Sequence, residues 1–351
     1  MPKIKTKGQV FGIIFITLII IVLLIVLGFN VRQLILYKDF YRAADKAIPI
    51  PGLWDGVVPQ GFEVDGETFY MSGYMEDGGS SRIYAFDENG DNVRYVNLIR
   101  DNGRADDSHA GGFAIWNEYA YLATDGVVNI YLKSDLTEAL EQNGGALAPI
   151  HRMKTPVEPA FCYISDDGYL FVGEFYEPDD YETDKSHAVT TDCGDEHQAF
   201  IAVYKLSGDA EYGIESNVPY ALYSIRNNVQ GMCITEDGNM ALITSLGLTD
   251  SHTYIYIDPA NGEYEPVKPY SVGAEPAIGR TYRFTLDSKI YDIPIYCLDT
   301  YKLHTTWTMP PMAEEPVYKD GKIYVMYESA SNKYLFGKLS GGTHVYSFEQ
   351  K

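Results

Sequence analysis

The sequence predicts an all-β protein, a β-propeller of five blades with a sixth left open, behind a single transmembrane helix. Three observations predict it. One hairpin phrase is written five times at a spacing of about 40–50 residues. Each copy is followed by one or two further short apolar runs. One uncharged stretch near the start is long enough to cross a bilayer.

That stretch comes first in the chain. It opens at Val10 and ends at Phe29, "VFGIIFITLIIIVLLIVLGF", which as a helix at about 1.5 Å per residue spans the hydrocarbon layer. A cleaved signal peptide is the rival reading, but its apolar core is usually shorter and ends at small residues, whereas this run ends "LGFNVRQ". The expected division is a cytoplasmic tail (residues 1–9), the helix (10–29), a juxtamembrane stalk (30–50) and the propeller (51–351). Lysines 3, 5 and 7 precede the helix, but Arg32, Lys38, Arg42 and Lys46 follow it, so basic residues do not fix the orientation. A short tail and a large acidic domain place the N-terminus inside and the propeller outside. The whole chain carries −22, and residues 1–33 hold four basic groups and no acid, which leaves −26 on the rest. Such a domain repels nucleic acid and anionic lipid and attracts cations.

The hairpins follow. "VPQGFEVDGETFYMSGY", "HAGGFAIWNEYAYLATD", "EPAFCYISDDGYLFVGEF", "VQGMCITEDGNMALITS" and "EEPVYKDGKIYVMYES" each read as strand, tight turn and strand, because Asp-Gly and its relatives supply the positive backbone angles of a short hairpin. Third strands are expected at "SRIYAFD", "VVNIYLKS", "FIAVYKLSG", "IPIYCLD" and "THVYSF". Fourth strands are expected at "NVRYVNL", "IHRMKT", "YALYSIR" and "LHTTWTM". Four antiparallel strands make a propeller blade. The fifth copy runs out after its third strand, and "KAIPIPG" near the start is the expected donor of the missing one, which would remove the open edge. Two insertions between second and third strands are expected, residues 176–199 and about 247–292. The second holds "TYIYID", "AEPAIG" and "RTYRFTLD", an extra hairpin that keeps the six-blade count open.

The copies differ most in their first and last words. In a hairpin these lie at the same end, and inner strands line the propeller axis, so the variable residues are expected on one rim. First words supply Gln60, His109, Glu158, Gln230, Glu314 and Glu315; last words supply Gly73, Thr124, Asp125, Glu174, Ser245 and Glu328. Asp106 and Asp107 enter at the same rim, and both insertions are expected to leave from it. The glycines of Gln60-Gly61, Gly111-Gly112 and Gln230-Gly231 let inner strands crowd at the axis. Carboxylates gathered there need a cation, a basic partner or raised pKa values. Arg104, Arg226 and Lys333 are candidate partners, and Ca²⁺ is the candidate ion for oxygen ligands such as Glu158, Glu174 and Glu328. Those three, with His109, are also the candidates for acid/base chemistry of the glycosidase kind. His187, Asp192, Cys193, Asp195 and His197 fall in one insertion without an established metal spacing, and read as a solvated loop. Cys162, Cys193, Cys233 and Cys297 show no CxxC; Cys162 and Cys233 read as small core residues.

"VPQG", "HAGG", "VQGM" and "PPMAEEPVYKDGKIYVMYESASNKY" resemble the blade motifs of a group of secreted or membrane-anchored β-propeller proteins of Gram-positive anaerobic bacteria. The resemblance covers about residues 55–351 and picks out Gln60, His109, Gln230, Glu314, Glu328, Ser329, Lys333 and Tyr334. Two departures stand out: Glu315-Pro316 where a glycine is usual after the glutamate, and Ala110 in place of valine. The resemblance implies a propeller at a cell surface and leaves its function open. Three functions are carried forward: a binding module for a glycan, peptide or partner protein; a surface hydrolase; and a structural or assembly protein.

Overall fold

A computed structural model describes residues 7–257, 281–286 and 288–349. It is a five-bladed propeller behind one long apolar helix, which excludes the sixth blade. Each blade is a meander in which the inner strand belongs to the hairpin phrase. Blade one runs Val57–Asp65, Thr68–Met75, Arg82–Phe86 and Arg94–Leu98. The inner strands of blades two to five are Phe113–Trp116, Phe161–Ile164, Val229–Ile234 and Ala313–Lys319. Apolar side chains of adjacent blades interleave; Phe161, Phe171, Met232 and Leu242, for example, pack blade three on blade four.

Helix α1 spans Lys7–Leu36, and α2 spans Lys38–Ala43. They run into β1, Ala44–Pro49, which pairs antiparallel with His344–Glu349 as the outer strand of blade five. The ring is closed by the pairing of these two strands, as the shortage in the fifth copy predicts. The expected stalk at residues 30–50 is corrected accordingly. Its first part continues α1, and its last part belongs to the propeller because Ile48 is buried against Val345 and Met326.

Blade four also departs from expectation. Its third strand is Ser251–Tyr256, paired with both Met240–Thr244 and Leu303–Met309. The expected third strand, "IPIYCLD", instead ends Lys289–Cys297, which pairs parallel with the outer strand of blade three, Ala221–Ile225. With Thr281–Leu286 it forms the extra hairpin, and it widens blade three to six strands. The second insertion therefore lies between third and fourth strands and leaves from the end opposite the rim. Its "AEPAIG" lies outside the described residues. All four cysteines are free, and Cys162, Cys233 and Cys297 are buried.

Candidate functional site

Three of the inner strands break register where the variable words begin. The shift falls between Pro59 and Phe62, between Val229 and Gly231, and between Ala313 and Pro316. A bulge adds a residue and re-aims its side chain, which is how Gln60, Gln230 and Glu314 come to line one pocket at the end of the axis. The glycines beside them are needed for approach. A Cβ on Gly61 would strike the carbonyl of Gly111, one on Gly111 that of Ala160, and one on Gly231 would crowd the Glu315 backbone.

The pocket has a volume of about 840 Å³, and the first insertion walls it with Glu177, Asp179, Asp180, Tyr181 and Glu182. Its floor is a hydrogen-bonded relay. The His109 ring nitrogen Nε2 meets Gln60 Oε1, and Gln60 Nε2 donates to Glu328 Oε2 at 3.1 Å. Gln60 can serve both only if His109 Nε2 carries the proton. The His109 ring also packs on Tyr74, with centroids 4.7 Å apart. Lys333 Nζ donates to Tyr74 Oη, and its ammonium sits 4.7 Å from the Tyr74 ring centroid and 5.3 Å from that of Tyr334.

Burial sets the protonation of this floor. It holds His109 below the usual imidazole range. It pushes Glu328 up to about 7, against the pull of Tyr334, Lys333 and Gln60. Glu314 lies well above the usual carboxylate range through burial and through the charges of Glu328 and Glu315; its Oε1 has no hydrogen-bond partner among the described residues. Glu158, at the pocket wall, is raised by burial and by Glu174. One layer deeper, Glu315 Oε2 accepts from the Phe62 and Phe113 N–H groups at 2.8 and 3.1 Å. It fills the axis between blades. Glu63 follows, pushed up to about 8 by burial, with Oε1 accepting from Val64 and Oε2 from Ile115.

Of the residues singled out in the sequence, Gln60, His109, Glu158, Gln230, Glu314, Glu328, Lys333 and Tyr334 meet in the pocket. Glu174 and Ser245 do not. Glu174 is 1% exposed, and both its oxygens are taken: they accept from Glu158 N, Phe200 N and His187 Nδ1, at 2.9–3.0 Å. It ties the insertion to blade three and is not free for catalysis or metal binding. Ser245 Oγ is buried and accepts from Ser251. Arg226 lies over the Tyr254 ring at 3.5 Å and donates to Tyr256, so it pairs with no pocket acid, and Arg104 is absent from the lining. No three His, Cys, Asp or Glu side chains converge to hold an ion among the described residues, so the Ca²⁺ set Glu158, Glu174 and Glu328 is not assembled. His187 and His197 are buried on Glu174 and Ser224, so the insertion is more ordered than a solvated loop.

The sequence reading missed Tyr74, Tyr181, the acids of residues 177–182, and Glu63. Glu63 had a signal: it occupies the slot held by Ala114, Cys162, Cys233 and Val317 in the other copies.

The sequence matches no protein-family model and no curated protein sequence. Among solved structures it is similar to a GH43_1 enzyme from Xanthomonas citri (12% identity, 89% of this chain and 91% of that one, TM-score 0.42). It is also similar to the PQQ-bound aldose sugar dehydrogenase of Streptomyces coelicolor (13%, 83% and 94%, TM-score 0.41). A third is the calcium-binding protein regucalcin of Agrobacterium tumefaciens (9%, 83% and 89%, TM-score 0.38). These likenesses carry no residue role to this chain.

Proposed function

We propose that the chain is a membrane-tethered, outward-facing propeller whose pocket binds a positively charged ligand bearing hydroxyl or amide groups, a cationic glycan or a basic peptide. One observation carries the reading. Among the described residues, nine Asp and Glu side chains line the pocket, against Lys333 as its one Lys or Arg and His109 as its one imidazole. Carboxylates crowded in a concave site focus a negative potential that concentrates cations. Tyr74, Tyr181, Tyr334 and Phe175 stand among them, offering ring faces to a ligand cation or a sugar and hydroxyls to its polar groups. The tether is α1, whose apolar window has a mean hydropathy of 3.5.

A hydrolase is the second reading, favoured by two carboxyl groups, Glu158 and Glu328, that line one open pocket with raised pKa values. A group held protonated near neutrality can serve as an acid.

The test is calorimetric titration of the full chain in detergent with glucosamine oligosaccharides and oligolysine, beside neutral and anionic oligosaccharides. Cationic probes are expected to bind, and Glu158→Gln with Glu328→Gln to weaken them about tenfold, roughly 1.4 kcal/mol. Equal binding of the anionic probes, or binding indifferent to both substitutions, would overturn the reading. Cleavage of the bound oligosaccharide, lost in Glu328→Gln, would decide for the hydrolase.

A further inference from the structure

The apolar helix and the pocket belong to the same end of the molecule. Helix α1 is one continuous helix to Leu36 and touches the turn Gly337–Ser340. That turn lies between the second and third strands of blade five, Lys322–Tyr327 and His344–Glu349. Such connections stand at the pocket end, because second strands leave the hairpin turns behind. Tyr37, the next residue after α1, is buried and donates to Asp250 Oδ1 at 2.6 Å. Asp250 sits on the corresponding connection of blade four, between Met240–Thr244 and Ser251–Tyr256.

There is little length between the bilayer and that contact. The apolar run ends at Phe29, and Gln33 is already only 5% exposed. Along a helix this is about 6 Å, and Tyr37 lies about 12 Å on. The polar layer on each side of a bilayer is roughly 5–8 Å thick. The intervening Val31, Leu34, Ile35 and Leu36 are exposed and apolar, which draws the hydrocarbon edge closer still. With no break in the helix, the propeller cannot stand off in water.

The surface presented there is suited to the position. Leu335 and Phe336, 74% and 65% exposed, immediately precede the turn that α1 touches. Trp54, 93% exposed, lies on the turn Leu53–Asp55 that leads from β1 into blade one. Leu246 and Leu248 project from the Asp250 connection. Tryptophan and large apolar side chains at this depth are the usual anchors of an interface. The acids of the same end select against an anionic leaflet.

We infer that the pocket end of the propeller docks on the zwitterionic headgroup layer of the bilayer that α1 enters, with Trp54, Leu335 and Phe336 in the interface and the pocket opening onto it. Ligands then reach the pocket along the membrane surface. The inference rests on the tether reading and is independent of the ligand class.

The experiment places the full chain in phosphatidylcholine vesicles brominated at shallow or deep acyl positions and reads tryptophan fluorescence. Trp54→Phe isolates the Trp54 signal from Trp116 and Trp307, and Ile21→Trp in the Trp54→Phe chain reports insertion of α1. Shallow bromines are expected to quench Trp54 by roughly half, with Leu335→Glu and Phe336→Glu together relieving the quenching, while deep bromines quench the indole introduced by Ile21→Trp. Quenching in Ile21→Trp with Trp54 untouched would overturn the docking and leave the tether standing. Absence of both would overturn the tether and the docking with it.

Discussion

Glu314 and Glu315 are consecutive residues of one bulge that part company: Glu314 faces the pocket, and Glu315 is driven into the axis, where the Phe62 and Phe113 N–H groups donate to its Oε2. The same irregularity of one strand supplies both the acidity of the site and the plug beneath it.

The acids in and beneath the pocket floor set the sign of the pH dependence. The folded pKa values of Glu315, Glu314, Glu328 and Glu63 all lie above the ordinary carboxylate value. Each therefore favours folding fully below pH 4.5, and the advantage is lost as pH rises toward the folded value, about 7 for Glu328 and about 8 for Glu63. Each group costs up to about 1.4 kcal/mol per pH unit in that window. Thermal unfolding of Glu315→Gln should match the wild type near pH 4.5 and exceed it increasingly toward pH 8. A gap that does not grow with pH would refute the assignment.

Binding should move the other way. Raising the pH through about 7 ionises Glu328, so the affinity for oligolysine, which keeps its charge throughout, should rise several-fold between pH 5.5 and 8. Glu328→Gln should flatten that rise. Titration calorimetry at four pH values checks it.

Glu174 predicts a stability effect without chemistry. Glu174→Ala strips acceptors from the N–H groups of Glu158 and Phe200 and from His187, a loss of about 2–4 kcal/mol. Denaturant titration should show it, together with faster proteolysis within residues 176–199. Glu174→Gln, which keeps one acceptor oxygen, should lie between.

Two glycines should part company. Gly111→Ala drives a methyl into the Ala160 carbonyl of the next blade, at a cost of about 3 kcal/mol or more. Gly66→Ala meets no neighbour and strains only a backbone angle of +62°, at about 1 kcal/mol. Equilibrium unfolding of both variants measures the difference.

A chain starting at Pro51 lacks β1 and bares the edge of His344–Glu349. It should unfold without a single sharp transition and self-associate, whereas a chain starting at residue 34 should do neither. Calorimetry and light scattering distinguish them.

The fold was legible because the hairpin phrase is local: an Asp-Gly turn with apolar runs on either side fixes two strands by itself. The meeting of Gln60, His109, Gln230, Glu314 and Glu328 followed from ring geometry, since each begins or ends a copy. What escaped depended on partners. "IPIYC" and "SHTYIY" are equally good strands, and only the tertiary structure assigns the first to blade three. Glu174 and Glu328 look alike in sequence, yet one is tied to the Phe200 N–H and His187 away from the pocket and the other lines the pocket floor. An apolar run names an element and not its neighbour.

The closure of blade five has a consequence for synthesis. β1 emerges early and pairs with a strand made about 300 residues later. At ordinary translation rates that is a delay of roughly 15–60 s, during which β1 waits behind the apolar helix α1 without its partner strand. Four blades can assemble in that interval. The fifth cannot, because its latch closes only when His344–Glu349 is made and meets β1.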